Sequence, residues 1–192
     1  MKPIANWDEV RAAGNTESLP VGGYVCEIKK AAEINNRNSA GTHLEILFDV
    51  CEGDYRGFFE QDYRSQSRED KFWRGIINQN VPNESSEKYT QQCGFFKRFT
   101  NTVESSNPGY HWDWREDGLK GKRFGVVFGA RDKRSQRGTV YEITEAREVI
   151  PVEDVRAGKY KIPEKKLLEG QAYPAAGEFA RLDGDDEALP FE

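Results

Sequence analysis

The chain has 192 residues, of which 36% are hydrophobic, 12% aromatic and 32% charged, enough apolar material for one core with solvated appendages. This balance excludes a fully disordered chain, and no run approaches the roughly 20 apolar residues of a membrane-spanning helix. The opening Met1 to Glu9 lacks the apolar stretch of a signal peptide, so a cytoplasmic protein is expected. The net charge of −5 argues against a polyanion ligand until it is mapped. Residues 178–192 hold six acids against the single base Arg181, and the body before them balances 27 bases with 27 acids. A basic groove in the body is therefore compatible with the acidic total.

Tyr24 to Ala31 alternates Tyr24, Cys26 and Ile28 with Glu27 and Lys29, which is strand periodicity. The turn formers of 35–41 separate it from Leu44, Ile46, Phe48 and Val50, which alternate again and predict a hairpin. After the Glu52-Gly53-Asp54 turn, the aromatics of Tyr55 to Tyr63 predict a third strand. The period then changes. Arg68 to Asn78 and Glu87 to Glu104 space Phe72, Trp73, Ile76 and Ile77, then Phe95, Phe96, Phe99 and Val103, by three and four residues, predicting two helices about Pro82. Beyond Pro108-Gly109, strands are predicted over Arg123 to Gly129 and Thr139 to Val149, joined by a basic loop from Arg131 to Gly138. A short helical turn and charged extension occupy Pro151 to Leu168, and the Ala, Gly and Pro of Gly170 to Phe179 make a linker.

Three strands, a helical insert and two strands follow the order of the five-stranded, mainly β Greek-key barrel of the oligonucleotide-binding (OB) fold. A helix-decorated β-sandwich is the alternative. The resulting division is an N-terminal arm (1–18), an OB-fold domain (19–150), a C-terminal extension (151–169) and a flexible linker with a disordered acidic tail (170–192).

The tail ends in Asp183-Gly184-Asp185-Asp186-Glu187-Ala188-Leu189-Pro190-Phe191-Glu192. Acids before an aliphatic-Pro-Phe tip resemble the tails of bacterial and phage single-stranded DNA-binding proteins. That resemblance implies partner binding by Asp185, Asp186, Leu189, Pro190 and Phe191, with a helicase, nuclease, recombination mediator or primase as partner. A flexible acidic stretch steers toward Lys and Arg while Phe191 supplies a compact anchor. Glu192 departs from the family, whose tails usually end at the Phe. Three further segments look like landmarks of phage-encoded members of this group: Leu19 to Tyr24, Leu119 to Phe124 and Val152 to Pro163. They imply an OB fold without catalysis, working on single-stranded DNA in a bacterial host during replication or recombination.

The residue types support strand binding on their own terms. Single strands are held by cations that follow the phosphates and by aromatics on which bases stack. Tyr55, Arg56, Phe58, Tyr63 and Arg64 interleave the two, as do Arg131, Lys133, Arg134 and Arg137 beside Tyr141; Lys120 and Lys122 extend the cationic set. Alternation sends one of Phe58 and Phe59 inward, and Phe124 and Phe128 share a face with Val126 and read as core. Trp112 and Trp114 fit either stacking or packing.

Neither cofactor nor metal is called for: His43 and His111 are the only histidines, and no glycine-rich loop cradles phosphate. Cys26, Cys51 and Cys93 read as reduced structural thiols. Two rival functions remain. One is an adaptor of the same fold that uses only its tail; the other is a metal-dependent nuclease built on Glu27-Ile28-Lys29 with Glu60 and Asp62.

Overall fold

The computed structural model describes residues 18–37, 39–67 and 69–168. Its strands are β1 (Gly22–Asn35), β2 (Thr42–Val50), β3 (Ile76–Asn80), β4 (Arg123–Arg134) and β5 (Val140–Ile150); its α-helices are α1 (Phe58–Ser65), α2 (Tyr89–Ser106) and α3 (Val152–Arg156). The strands form one antiparallel sheet in the order β3-β2-β1-β4-β5, so the architecture is mainly β with a few helices rather than a two-sheet sandwich.

β1 is long because it serves two neighbours. Gly22 to Glu27 pair with β4, and Cys26 to Asn35 pair with β2. A register shift between Ile28 and Lys30 lets the strand bend while returning Ala31 to the core side. The alternation read in the sequence holds: Cys26, Ile28, Leu44, Ile46, Phe48 and Val50 are all buried in one cluster with Phe124, Val126 and Phe128. All three cysteines are unpaired, and burial pushes the Cys26 thiol well above its ordinary value.

The predicted third strand is not one. Gly53 and Gly57 take positive φ of 79° and 74°, turning the chain back, and Phe58 begins α1. The buried Asp49 carboxylate fixes this turn by accepting the amides of Val50 (2.8 Å), Phe59 (2.9 Å) and Glu60 (3.0 Å). It thus supplies from β2 the cap that Gly57 cannot. Phe58, Phe59 and Asp62 then share the buried helical face.

The third strand instead lies inside the predicted helix 68–78. Ile76 to Asn80 pair with Leu47 to His43 of β2, and the approach is extended. Long-range bonds override the helical spacing. Phe48 N donates to Gly75 O (2.8 Å), Trp73 Nε1 donates to Phe48 O (2.9 Å), and Arg74 Nε donates to buried Asp62 (2.6 Å). Only glycine fits at 75, where a Cβ would stand 2.4 Å from the Phe48 carbonyl oxygen.

α2 starts two residues later than predicted and buries Phe96, Phe99 and Val103 against the sheet. The basic loop is shorter than expected, because β4 runs to Arg134 and only 135–139 make the turn. α3 confirms the helical turn after Pro151. Beyond it the chain docks on β4, where Lys166 N donates to Ala130 O (3.0 Å) and Asp132 N donates to Lys166 O (2.9 Å). Among the described residues no helix is long and apolar enough to cross a membrane.

The closed barrel is also corrected. The end strands β3 and β5 do not pair with each other, and the sheet stays open along a seam between them. α1 and α2 fill the space that strand pairing would otherwise close, packing beside β2 and across β3, β4 and β5 respectively.

Candidate nucleic-acid interface

Two clefts follow this seam and share Ile76 and Ala146. One, of about 780 Å³, lies toward the β4–β5 hairpin; the other, of about 700 Å³, lies under α2. We term them the hairpin cleft and the helix cleft.

The hairpin cleft has a hydrophobic floor of Phe48, Phe58, Phe59 and Phe128, whose rings meet at centroid distances of 5.3 to 6.3 Å. Such edge and offset contacts make the floor rigid. One wall is β5 from Tyr141 to Ala146, together with Lys133 of β4; the facing wall is Phe72, Trp73 and Arg74. Lys133 and Tyr141 are direct cross-strand partners, which sets a cation beside an aromatic ring on one face. Tyr141 is 43% exposed and Phe72 is 50% exposed, so both present apolar area to solvent.

The charges around this cleft are unevenly matched. Its acids are held by cations: Glu142 by Lys165 (2.8 Å) and Glu145 by Arg131 (2.9 Å). Lys133, Arg134 and Arg137 form no ion pair among the described residues, which leaves the hairpin end cationic. Lys165 also binds Asp132 (2.7 Å), and these two bonds raise its affinity for a proton.

The other predicted residues scatter. Phe58 is buried and forms floor, so no base can lie on its face. Tyr55 sits edge-on to Tyr24 (5.8 Å) and Phe58 (6.3 Å), behind that floor, with Arg56 exposed beside it. Tyr24 donates to Pro20 O (2.9 Å); its burial, then Tyr55 and Tyr160, push its hydroxyl up to about 12. Tyr63 packs on Trp73 (5.9 Å) with Lys71 Nζ 5.9 Å above its ring, which joins it to the facing wall. Arg64 is ion-paired with Glu60 one helical turn away. Lys120 and Lys122 precede β4, at the end opposite the hairpin and about 35 Å away along the strand. Lys122 lies 4.7 Å over the Tyr110 ring there. Arg68 and the tail residues Asp185, Asp186, Leu189, Pro190 and Phe191 lie outside the described residues.

Trp112 packs on Phe96 (6.0 Å), while Trp114 stands 78% exposed in a left-handed backbone (φ 65°). The residues weighed for nuclease chemistry do not converge: Glu27 and Lys29 bind each other (2.8 Å), Glu60 holds Arg64, and Asp62 holds Arg74. The sequence reading missed Phe72 and Trp73 as cleft residues. Lys71-Phe72-Trp73-Arg74 carries the same interleaving of cations and aromatics that marked Tyr55 to Arg64, and Gly75 just after it breaks a helix. No protein-family model matches the chain, and no curated protein matches it.

Proposed function

We propose that this chain is a non-catalytic single-stranded DNA-binding protein that holds the strand in the hairpin cleft. The observation that carries the reading is the meeting of exposed Tyr141 and Lys133 with Phe72 and Trp73 across one cleft. A single strand needs stacking surfaces at base height and cations at phosphate height, without the rigid groove geometry a duplex would demand. Unmatched Lys133, which lines the cleft, supplies the second requirement, with Arg134 and Arg137 at the same hairpin end of the sheet.

The strand order supports reading the sheet as an opened relative of the OB fold. β1 is shared between β2 and β4, and a helix stands between β3 and β4, as in that fold. The acidic tail then has two uses. Its Leu189-Pro190-Phe191 tip recruits DNA-processing proteins, and its acids compete with DNA for the same cations.

The test is fluorescence anisotropy of a labelled oligothymidine across a salt series, with the full chain and a chain ending at Gly177. Salt-sensitive binding, tighter for the shorter chain, is expected. Absence of binding at low salt by both overturns the reading and leaves an adaptor that works through its tail alone.

A further inference from the structure

Asp132 of β4 and Glu142 of β5 are direct cross-strand partners, so two carboxylates stand side by side on one face of the sheet. Like charges in that position repel, and Asp132 is buried, where an unmatched charge is more costly still. Both acids adjoin the strand-binding residues: Asp132 precedes Lys133 in the chain, and Glu142 follows Tyr141 and lines the hairpin cleft with it. Two carboxylates against Lys133 alone would make this wall acidic. Lys165 prevents it, because its Nζ lies 2.7 Å from Asp132 and 2.8 Å from Glu142.

The backbone puts Lys165 there. β4 pairs with β1 only as far as Phe128, which leaves the rest of that strand edge open toward the hairpin. The segment 160–166 fills the opening. Tyr160 lies across Gly23, where a Cβ would meet its ring at 2.7 Å, and Lys166 forms a parallel bridge with Arg131 by donating to Ala130 O (3.0 Å) and accepting from Asp132 N (2.9 Å). Lys165 is thereby fixed one residue from a backbone clamp, with its ammonium over both acids, although it does not itself line the cleft.

We infer that Lys165 is a positioning residue of the strand-binding site: by holding Asp132 and Glu142 it keeps both carboxylates from competing with phosphate for Lys133. The segment 160–166 is then part of the site while lying outside the cleft. This inference rests on the strand-binding reading and adds a cation that acts on the strand only through the acids it neutralises.

Anisotropy titrations of labelled oligothymidine with full-length variants test it. Lys165→Met is expected to bind about fivefold more weakly at low salt, with the gap narrowing as salt rises, because two uncompensated carboxylates then repel the strand. Lys165→Met/Asp132→Asn/Glu142→Gln is expected to recover the lost affinity, which it would not do if the segment served stability alone. Glu142→Gln by itself changes an exposed side chain and is expected to bind more tightly than the natural chain, since Lys165 then answers one carboxylate instead of two. Natural affinity in Lys165→Met, a triple variant as weak as Lys165→Met, or Glu142→Gln binding no tighter than the natural chain overturns the inference and leaves the strand-binding reading standing. Absence of binding by the natural chain overturns both.

Discussion

The two halves of the seam are built from the same strands and carry different chemistry. Toward the hairpin, β5 contributes Tyr141 and faces Phe72 and Trp73, with Lys133 alongside and the acids neutralised from outside. Under α2, the same strand contributes Ala146 to Val149, and charges pair across the cleft through Arg98 and Glu148. The comparison teaches that the opening itself confers no ligand preference. What differs is whether cations are left over after internal pairing, because exposed aromatic area is found in both halves, at Tyr141 and Phe72 in one and at Phe95 in the other.

The largest effect should come from Asp49, which holds α1 and hence the floor of the hairpin cleft. Asp49→Ala strands two buried amides and one partly buried amide and is expected to cost about 3 kcal/mol in urea unfolding, with DNA affinity falling alongside. An unchanged midpoint would show that water replaces the carboxylate.

Next, Tyr141→Ala should weaken oligothymidine binding by about 1 to 3 kcal/mol, the worth of one stacked base, while Tyr141→Phe keeps most of the affinity. Phe95→Ala in the helix cleft is the contrasting change and should leave anisotropy titrations unmoved. Equal losses at both positions would erase the distinction between the clefts.

A smaller change is expected from Lys133→Ala. The slope of log affinity against log salt should shallow by about 0.7, one phosphate contact on a single strand. Arg98→Ala should leave that slope alone and cost at most about 0.5 kcal/mol of stability, because its pair with Glu148 is exposed.

The smallest effect concerns pH and lies away from both clefts. Hydrogen bonding to Arg156 holds the Glu52 carboxyl below its usual 4.5, with Arg123 assisting (3.3 Å). A lowered folded value means the contribution is complete above 4.5 and is lost as pH falls through the folded value. Thermal unfolding of Glu52→Gln against the natural chain should therefore show a slight deficit at neutral pH that closes on acidification.

Legibility in the sequence followed the range of the deciding contacts. The first hairpin, the last two strands and α2 were readable because burial on one face imposes a period of two or 3.6 residues on the chain itself. Residues 55–80 were misread in both directions. Aromatics at 55–63 suggested a strand, but Gly57 and the distant Asp49 carboxylate make a helix. Helical spacing over 68–78 was overruled by Gly75 and Trp73 bonding to Phe48. Lys133 and Tyr141 were named from the sequence as neighbours of a basic turn, yet Phe72 and Trp73 opposite them were not, since nothing local announces a wall completed across a gap.

By itself, then, the sequence determined that the chain is mainly β, that the negative charge is concentrated after Gly177, and that cations and aromatics gather near the last hairpin. Those properties depend on residue order and short-range periodicity. Tertiary structure alone decided that the sheet stays open, that β3 is Ile76–Asn80, and that the cations split between opposite ends of β4. Each of these depends on which distant backbone groups find partners, and a buried amide is satisfied by whatever acceptor the fold brings to it rather than by its neighbours in the chain.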